Sequence, residues 1–358
     1  MSSERRFELF RMFFSIVIAL AVSFVLIFLV SSQPIEAIRL LVTGPVSKTR
    51  YVGNVIEKMV PLIFTGTGVC IMFSANQINL AGEGAFHLGG LLAACCALGL
   101  GLPAVVGPIF ALIIAIIIGA VFCAIPAILK IKTNSSVMVS SLMLNYIALY
   151  IGNYVLHYFI GDSKVGEASA SFELPAASTL ASIKIFGIKF HIGLLVALAV
   201  AVLGYYFLYR SKTGYELRLV GENENFAKNV GISIVKVILI SQLVGGAIAG
   251  LGGGIELLSP LYTRFTWTAL LGYGWDAITI CTLSKRNPIK TPIAALFLAY
   301  LRVGASIMAR STDVTLEIVE ITEGIIILLV VAEQFLSGTK HKMIAKEARK
   351  QLKEEEGA

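Results

Sequence analysis

Residues 211–232 read SKTGYELRLVGENENFAKNVGI and lie between two long apolar runs, 189–209 and 233–256. The flanks decide the fold, because a helix of about 20 apolar residues crosses the hydrocarbon core of a bilayer. The polar stretch between them reads as a short amphipathic helix with a cap at each end. Asn223 is placed to serve as N-cap, Glu224 sits in the first turn, Lys228 in the last, and Gly231 follows as the C′ residue. Glu224 and Lys228 also form an i, i+4 pair in the favoured orientation. A helix this short is not stable alone, so Phe226, Ala227 and Val230 must pack against something. Either the membrane domain above or a soluble partner below would serve, and the loop is a candidate docking element.

Working outward, the composition agrees with the flanks. Of 358 residues, 57% are hydrophobic and 14% charged, against about 25% charged in soluble domains. The reading is an all-α polytopic membrane protein. A net charge of +7 is accounted for by cationic residues on the cytoplasmic side, and no nucleic-acid partner is expected. The run from Met12 to Val30 is long enough to span and no small-residue cleavage site follows it, so it reads as the first transmembrane helix. Cys70, Cys95, Cys96, Cys123 and Cys281 all fall in apolar segments without metal-ligand spacing, and the four histidines are scattered. Buried thiols, no metal site and no disulfide framework are the expectation.

About ten segments qualify as spans: 12–31, 57–74, 84–101, 104–129, 135–160, 189–209, 233–256, 268–284, 291–309 and 318–336. With the N-terminus inside, nineteen Lys and Arg fall on the cytoplasmic side against nine outside, with Arg302 left within a span. The opposite orientation would put the excess outside, so the expected topology is N-in, C-in. It makes 1–336 a membrane domain and 337–358 a charged cytoplasmic tail, with the loop 211–232 cytoplasmic. Two external segments, 32–56 and 161–188, are long, and the second is either a docking surface or a flexible connection. Whether 57–101 holds two full spans or a broken pair stays open.

Two stretches about 190 residues apart share a plan. NLAGEGA from Asn79 leads into an apolar run, and Pro103 and Pro108 open the next span; LGYGWDA from Leu271 leads into another, and Pro288 and Pro292 open the next. The expected topology starts them on opposite sides, the inverted repeat common in transporters with a central site. Each Gly-x-Gly element carries an acid, Glu83 or Asp276, at a place where lipid exposure would be costly. Asn76, Asn79, Glu83, Trp275 and Asp276 border a polar pathway or serve as caps of ordinary helices. Asn145, with Asn153 two turns on, lines a cavity or glues helices together. Arg302 is expected to pair with Glu320 or Glu323. Small residues at Gly246, Gly250 and Gly254 read as a close helix contact.

Four of these elements, in order, resemble the permease subunits of bacterial ABC importers for nucleosides and simple sugars: INLAGEGAFHLGG at 78–90, SSLMLNYIA at 140–148, GYELRLVGEN…A…GI at 214–232, and GYGWDAI followed by RNPIKTPIAALFLAYLRVGA to 305. The resemblance covers roughly 57–336 and implies a multi-pass protein of the bacterial cell membrane without an ATPase of its own. In agreement, no G-x-x-x-x-G-K-[ST] stretch occurs, and no cofactor is expected on this chain; ATP and Mg²⁺ would be used by the partner. In the family the segment matching Gly214, Glu216, Arg218, Gly221, Glu222, Asn223, Ala227 and Gly231 docks into the ATP-hydrolysing subunit. The resemblance further implies a second permease subunit, often a different chain, and an external substrate-binding lipoprotein. Nucleosides lead as substrate, with ribose-type sugars second. A reading of another class is an ion-coupled secondary transporter or channel working through Glu83 and Asp276. A membrane-embedded enzyme is disfavoured, since no H-E-x-x-H, Ser/Lys or paired-carboxylate constellation stands out.

Overall fold

The computed structural model describes residues 31–162, 164, 170–185 and 188–314, with single positions 18, 21, 22, 24, 25, 27, 28, 321, 324 and 325. The tail 337–358, most of the runs 12–31 and 318–336, and the expected partners of Arg302 lie outside the described residues. Residues 48–300 form one compact unit, and 1–47 with 301–358 form another.

The helices are α1 (Pro34–Ser47), α2 (Thr49–Ser74), α3 (Gly82–Gly99), α4 (Val106–Thr133), α5 (Val137–Val155, continued by a π-turn to Ile160), α6 (Gly193–Arg210), α7 (Lys212–Glu222), α8 (Glu224–Asn229), α9 (Ile234–Leu257), α10 (Tyr273–Leu283) and α11 (Thr291–Ser311). Between α5 and α6 an antiparallel hairpin pairs β1 (Ser182–Ile185) with β2 (Ile188–His191), in the register Ser182 opposite His191. Among the described residues, six helical segments are long and apolar enough to cross a membrane: Thr49–Ser74, Val106–Thr133, Val137–Ile160, Gly193–Arg210, Ile234–Leu257 and Pro288–Ser311.

Two expected boundaries move. The run 268–284 is helical only over the eleven residues of α10, about 16 Å at 1.5 Å per residue, which is half a bilayer core. Its first residues stay irregular, and Gly272 turns the chain with φ +81, a left-handed conformation that glycine adopts without steric cost. The segment 32–56, expected as an external connection, is helical as α1 and the start of α2. Arg50, Glu57 and Lys58 lie along the first part of α2, and charges at a span's end lengthen a helix without breaking it, because long side chains reach out of the apolar zone. Within 57–101 the helical chain is interrupted, as α2 ends at Ser74, α3 starts at Gly82, and Asn76 between them is left-handed at φ +54.

Within the unit 48–300, α9 is the central helix and packs on α2, α3 and α4. Its small residues permit that contact: a methyl at Gly246 would overlap the Gly119 carbonyl of α4, and one at Gly250 the Ala115 carbonyl. The expected small-residue seam is therefore real, and α4 is its partner. In the other unit, Asp313 accepts hydrogen bonds from the Ser31 hydroxyl at 2.5 Å and from the Ser32 amide and hydroxyl at 2.7 Å each. Ala37, Leu41, Ala305 and Met308 form its apolar core.

Candidate functional site

The polar loop is two helices where the sequence reading expected one. Ser211 caps α7 by accepting from the Gly214 amide at 2.9 Å. Asn223 then ends α7 and caps α8, its Oδ1 accepting from the Phe226 amide at 3.0 Å. Gly231 closes α8 at φ +86, with the Ile232 amide donating to the Ala227 carbonyl at 3.0 Å. Both expected caps are in place, and the extra helix forms because TGYELRLV carries its own apolar stripe. Leu217, Val220 and Ala227 are buried with Ala75, Leu208 and Val237, at the ends of α2, α6 and α9.

The motif residues of the loop divide by what they touch. Gly214 and Gly221 sit where a side chain would overlap the Phe207 and Ser74 carbonyls, respectively. Asn223 and Gly231 are caps and Ala227 is core. Arg218 lies over the Tyr209 ring at 4.8 Å, a cation–π contact. Glu216 is half-buried and Glu222 exposed. Five of the eight thus build the loop. Phe226 and Val230 were expected to pack together with Ala227, but they stay 51% and 55% exposed. Tyr215 on α7 is exposed too.

The first break, 75–81, is irregular backbone whose polar groups must find partners in a membrane protein. Side chains from three helices supply them. Asn145 of α5 accepts from the Gly84 amide at 2.9 Å and donates to the Leu80 carbonyl at 3.0 Å. Ser141 accepts from the Leu80 amide at 3.0 Å. Asn79, fully buried, donates to the Cys123 carbonyl of α4 and to Gln242 of α9 while its Oδ1 accepts from the Ala81 amide. Lys130 of α4 reaches Gln77 at 2.7 Å. Asn76 is exposed and stands as the left-handed residue after α2.

The two Gly-x-Gly elements meet. Glu83, 4% exposed, accepts at Oε1 from the Gly272 amide at 2.8 Å and at Oε2 from the Gly274 amide. A carboxylate from one break therefore caps the half-length helix of the other, where free amides and the helix dipole favour negative charge. Asp276 is buried in the first turn of the same helix, while Trp275 is 59% exposed. Around this junction Phe86 stacks on Trp267 at 5.6 Å and tilts onto Tyr273 at 5.0 Å. Of the expected pathway residues, Glu83 and Asp276 share the α10 terminus and Asn79 and Asn145 share the 75–85 turn, whereas Asn76 and Trp275 lie in the same two places with exposed side chains.

On the side of the hairpin, Arg264 donates to Asp162 at 2.9 Å, to the Ser171 carbonyl at 2.9 Å and to Glu173 at 3.2 Å. The guanidinium holds the Asp162 carboxyl below the usual carboxylate range. Arg264 thus ties Asp162, Ser171 and Glu173 of the segment 161–188 together.

This layout can be set beside known proteins. Residues 51–331 match the family described as the permease component of the branched-chain amino acid transport system. The chain belongs to this permease family. Among curated proteins the permease is 32% identical to a guanosine ABC transporter permease protein of Bacillus subtilis, over 78% of this chain and 80% of that one. It is 31% identical to a glucose ABC transporter permease protein of Haloferax volcanii, over 90% and 86%. It is 26% identical to a nucleoside ABC transporter permease protein of Lactococcus lactis subsp. cremoris, over 83% and 84%. The permease is a multi-pass membrane protein, and its family is one of transport subunits.

Sequence reasoning passed over Gln242 and Ser141, which hold the first break from apolar helices. Gln242 carried a signal, since a polar residue amid ILISQLVGG within a span is costly unless it has a partner. It also passed over Glu256, 1% exposed at the end of α9.

Proposed function

We propose that this permease is one half of the membrane path of an ATP-driven importer for nucleosides, working by alternating access. The loop 211–232 faces the cytoplasm and docks a separate ATP-hydrolysing subunit, a second and different permease chain completes the path, and an external binding protein delivers the solute. The single observation that carries the reading is the construction of the loop. Its buried residues fasten it to the ends of α2, α6 and α9, while Phe226 and Val230 point away uncovered. Such an element passes motion of a docked partner to three spans as a rigid body, and it shifts the permease between states when docking favours one of them. The excess of cationic residues supports placing the loop inside.

The guanosine and nucleoside permeases among the relatives support nucleosides as the solute class. A simple sugar is the second reading, favoured by the glucose permease of Haloferax volcanii. The test is uptake by cells expressing the complete importer, with radiolabelled guanosine and glucose in parallel. Guanosine uptake that disappears both without this chain and with an ATPase-dead partner is expected. Uptake by this chain alone in liposomes, collapsed by an uncoupler, would instead establish an ion-coupled transporter.

A further inference from the structure

We propose that Arg218 does not meet the ATP-hydrolysing partner but clamps the loop 211–232 to α6 through Tyr209 and Tyr205, so that the corner at Ser211 stays rigid when the partner moves. The proposal deepens the importer reading and rests on it. It gives Arg218 a positioning role in place of the docking role that the family motif implies.

The corner itself is thin. α6 ends at Arg210 and α7 starts at Lys212, so Ser211 alone, extended at φ −106 and ψ 155, joins the two helices. One such residue carries two soft dihedrals, and a few positions at the end of an element suffice as a hinge. A partner pushing on α7 or α8 would then bend the corner and leave α6 where it was. Contacts close to Ser211 oppose bending. Its hydroxyl donates to the Phe207 carbonyl at 2.6 Å and accepts from the Gly214 amide at 2.9 Å, and Gly214 lies flush on the Phe207 and Leu208 carbonyls. All of these act within about one turn of the corner, where leverage is small.

Arg218 holds farther out. Gly214, Leu217 and Gly221 recur at helical spacing on the inward face of α7: Leu217 is buried, and a side chain at either glycine would overlap carbonyls at the ends of α6 or α2. Arg218 stands at the edge of that face and is half-buried, whereas Lys212 and Lys228, the other two cations of the loop, are exposed. Its guanidinium turns back over the Tyr209 ring at 4.8 Å. Among the described residues its buried Nε has no hydrogen-bond partner, and the ring face takes the cation. Tyr209 in turn stacks on Tyr205 at 5.0 Å, with 28° between the ring planes. Both rings are half-buried, while Tyr206 beside them is 57% exposed. Guanidinium and rings thus form one column from the second turn of α7 to the last two turns of α6, spanning the corner. A planar cation stacked on a ring fixes orientation as well as distance, and orientation is what a hinge at Ser211 would lose.

The test uses the complete importer with a tagged permease, reconstituted in proteoliposomes. It reads the ATPase recovered on the tag and the solute taken up per ATP hydrolysed, the solute being guanosine, or glucose where the unsubstituted complex takes up glucose. Arg218→Ala removes the cation, and Arg218→Met removes the charge but keeps a long side chain that packs on a ring. Tyr209→Leu removes the ring, and Tyr209→Phe keeps it. Recovery of the ATPase is expected within twofold of wild type for all four. Uptake per ATP should fall at least fivefold with Arg218→Ala and with Tyr209→Leu, less than twofold with Tyr209→Phe, and to a value between these with Arg218→Met. Tyr209→Leu breaks the contact from the α6 side, so it decides the matter where Arg218→Ala does not assemble. Recovery lowered at least tenfold by both Arg218 variants, with Tyr209→Leu at the wild-type level, overturns the proposal, because Arg218 is then a partner contact. Unchanged uptake per ATP in Arg218→Ala and Tyr209→Leu overturns it as well, because the corner is then stiff without the column. Uptake by the unsubstituted complex that needs no ATP sinks the importer reading, and the clamp with it.

Discussion

Glu83 and Gly272 are 189 residues apart, and the carboxylate of one accepts the backbone amide of the other at 2.8 Å. With the Gly274 amide on its second oxygen, Glu83 does for α10 what an N-cap residue does from within a helix. Glu83→Ala leaves two buried amides without that acceptor, at about 1–3 kcal/mol for each. Glu83→Gln keeps one carbonyl acceptor and should lose less. Thermal unfolding of the purified permease in detergent should rank them wild type, Gln, Ala. An Ala variant as stable as wild type would remove the cap from the account.

Asn145 presents a similar case with a sharper control. Its amide serves both a donor and an acceptor of the first break, so Asn145→Leu, close in volume, should cost about 2–4 kcal/mol. Asn153, on the same helix, reaches one carbonyl, that of Thr268, at 3.2 Å, and Asn153→Leu should cost less than half as much. The ratio is read from denaturation of both variants in one detergent. Equal losses would mean that the turn at 80–84 does not depend on Asn145.

How far the sequence alone reached follows the range of each interaction. Caps and close packing are local or compositional, so Asn223, Gly231 and the seam at Gly246 and Gly250 could be read directly. The acids at Glu83 and Asp276 stood out because they are expensive in a span, yet where Glu83 bonds depends on the chain meeting itself 189 residues later. Helix length failed at 268–284 because mean hydropathy does not register that Gly272 and Gly274 start the helix late. Burial failed at Phe226 and Val230, where an amphipathic stripe shows that a residue seeks a cover without showing whether the chain provides it.

The seam between α9 and α4 predicts a contrast between Gly250 and Gly254, which the sequence presents as equivalent. Gly250→Ala would force its methyl into the Ala115 backbone carbonyl, whereas a methyl at Gly254 meets Ala115 Cβ and Leu112 Cδ2 at 3.0 Å each, a looser contact of which the leucine side chain can give. Overpacking against backbone costs about 1–3 kcal/mol or more. Gly250→Ala should therefore lower the melting temperature clearly and Gly254→Ala little. Matching melts for the two would show that α9 and α4 separate freely.

His191, on β2 outside the spans, is 1% exposed, and its Nδ1 accepts from the Gly193 amide at 3.2 Å. Burial pushes its pKa down to about 4 from the ordinary 6.5. Between those values the unfolded chain binds the proton and the folded chain does not, so stability is full above pH 6.5 and falls as pH drops towards 4. The loss approaches about 3 kcal/mol at 1.36 kcal/mol per pH unit. His191→Asn keeps an acceptor for Gly193 and removes the titration. Its stability should change less than that of wild type between pH 7 and 4.5, and parallel profiles would assign the acid sensitivity to other groups.

The loop separates folding from assembly within one turn of helix. Ala227 is buried against Leu217 and Val237, so Ala227→Asp puts a charge into that core and should destabilise the permease itself. Phe226 and Val230 flank it and stay uncovered, so Phe226→Asp with Val230→Asp should leave the melt of the isolated chain within about 0.5 kcal/mol of wild type, as surface changes usually do. The same pair desolvates two carboxylates in any complex that covers these two positions, and association should weaken at least a hundredfold, about 2.8 kcal/mol. Pull-down of the ATPase on tagged permease, beside the melt of the permease alone, reads both effects. Full recovery of the ATPase on the double variant would place the docking surface elsewhere, whereas a lowered melt would show that the two side chains belong to the fold.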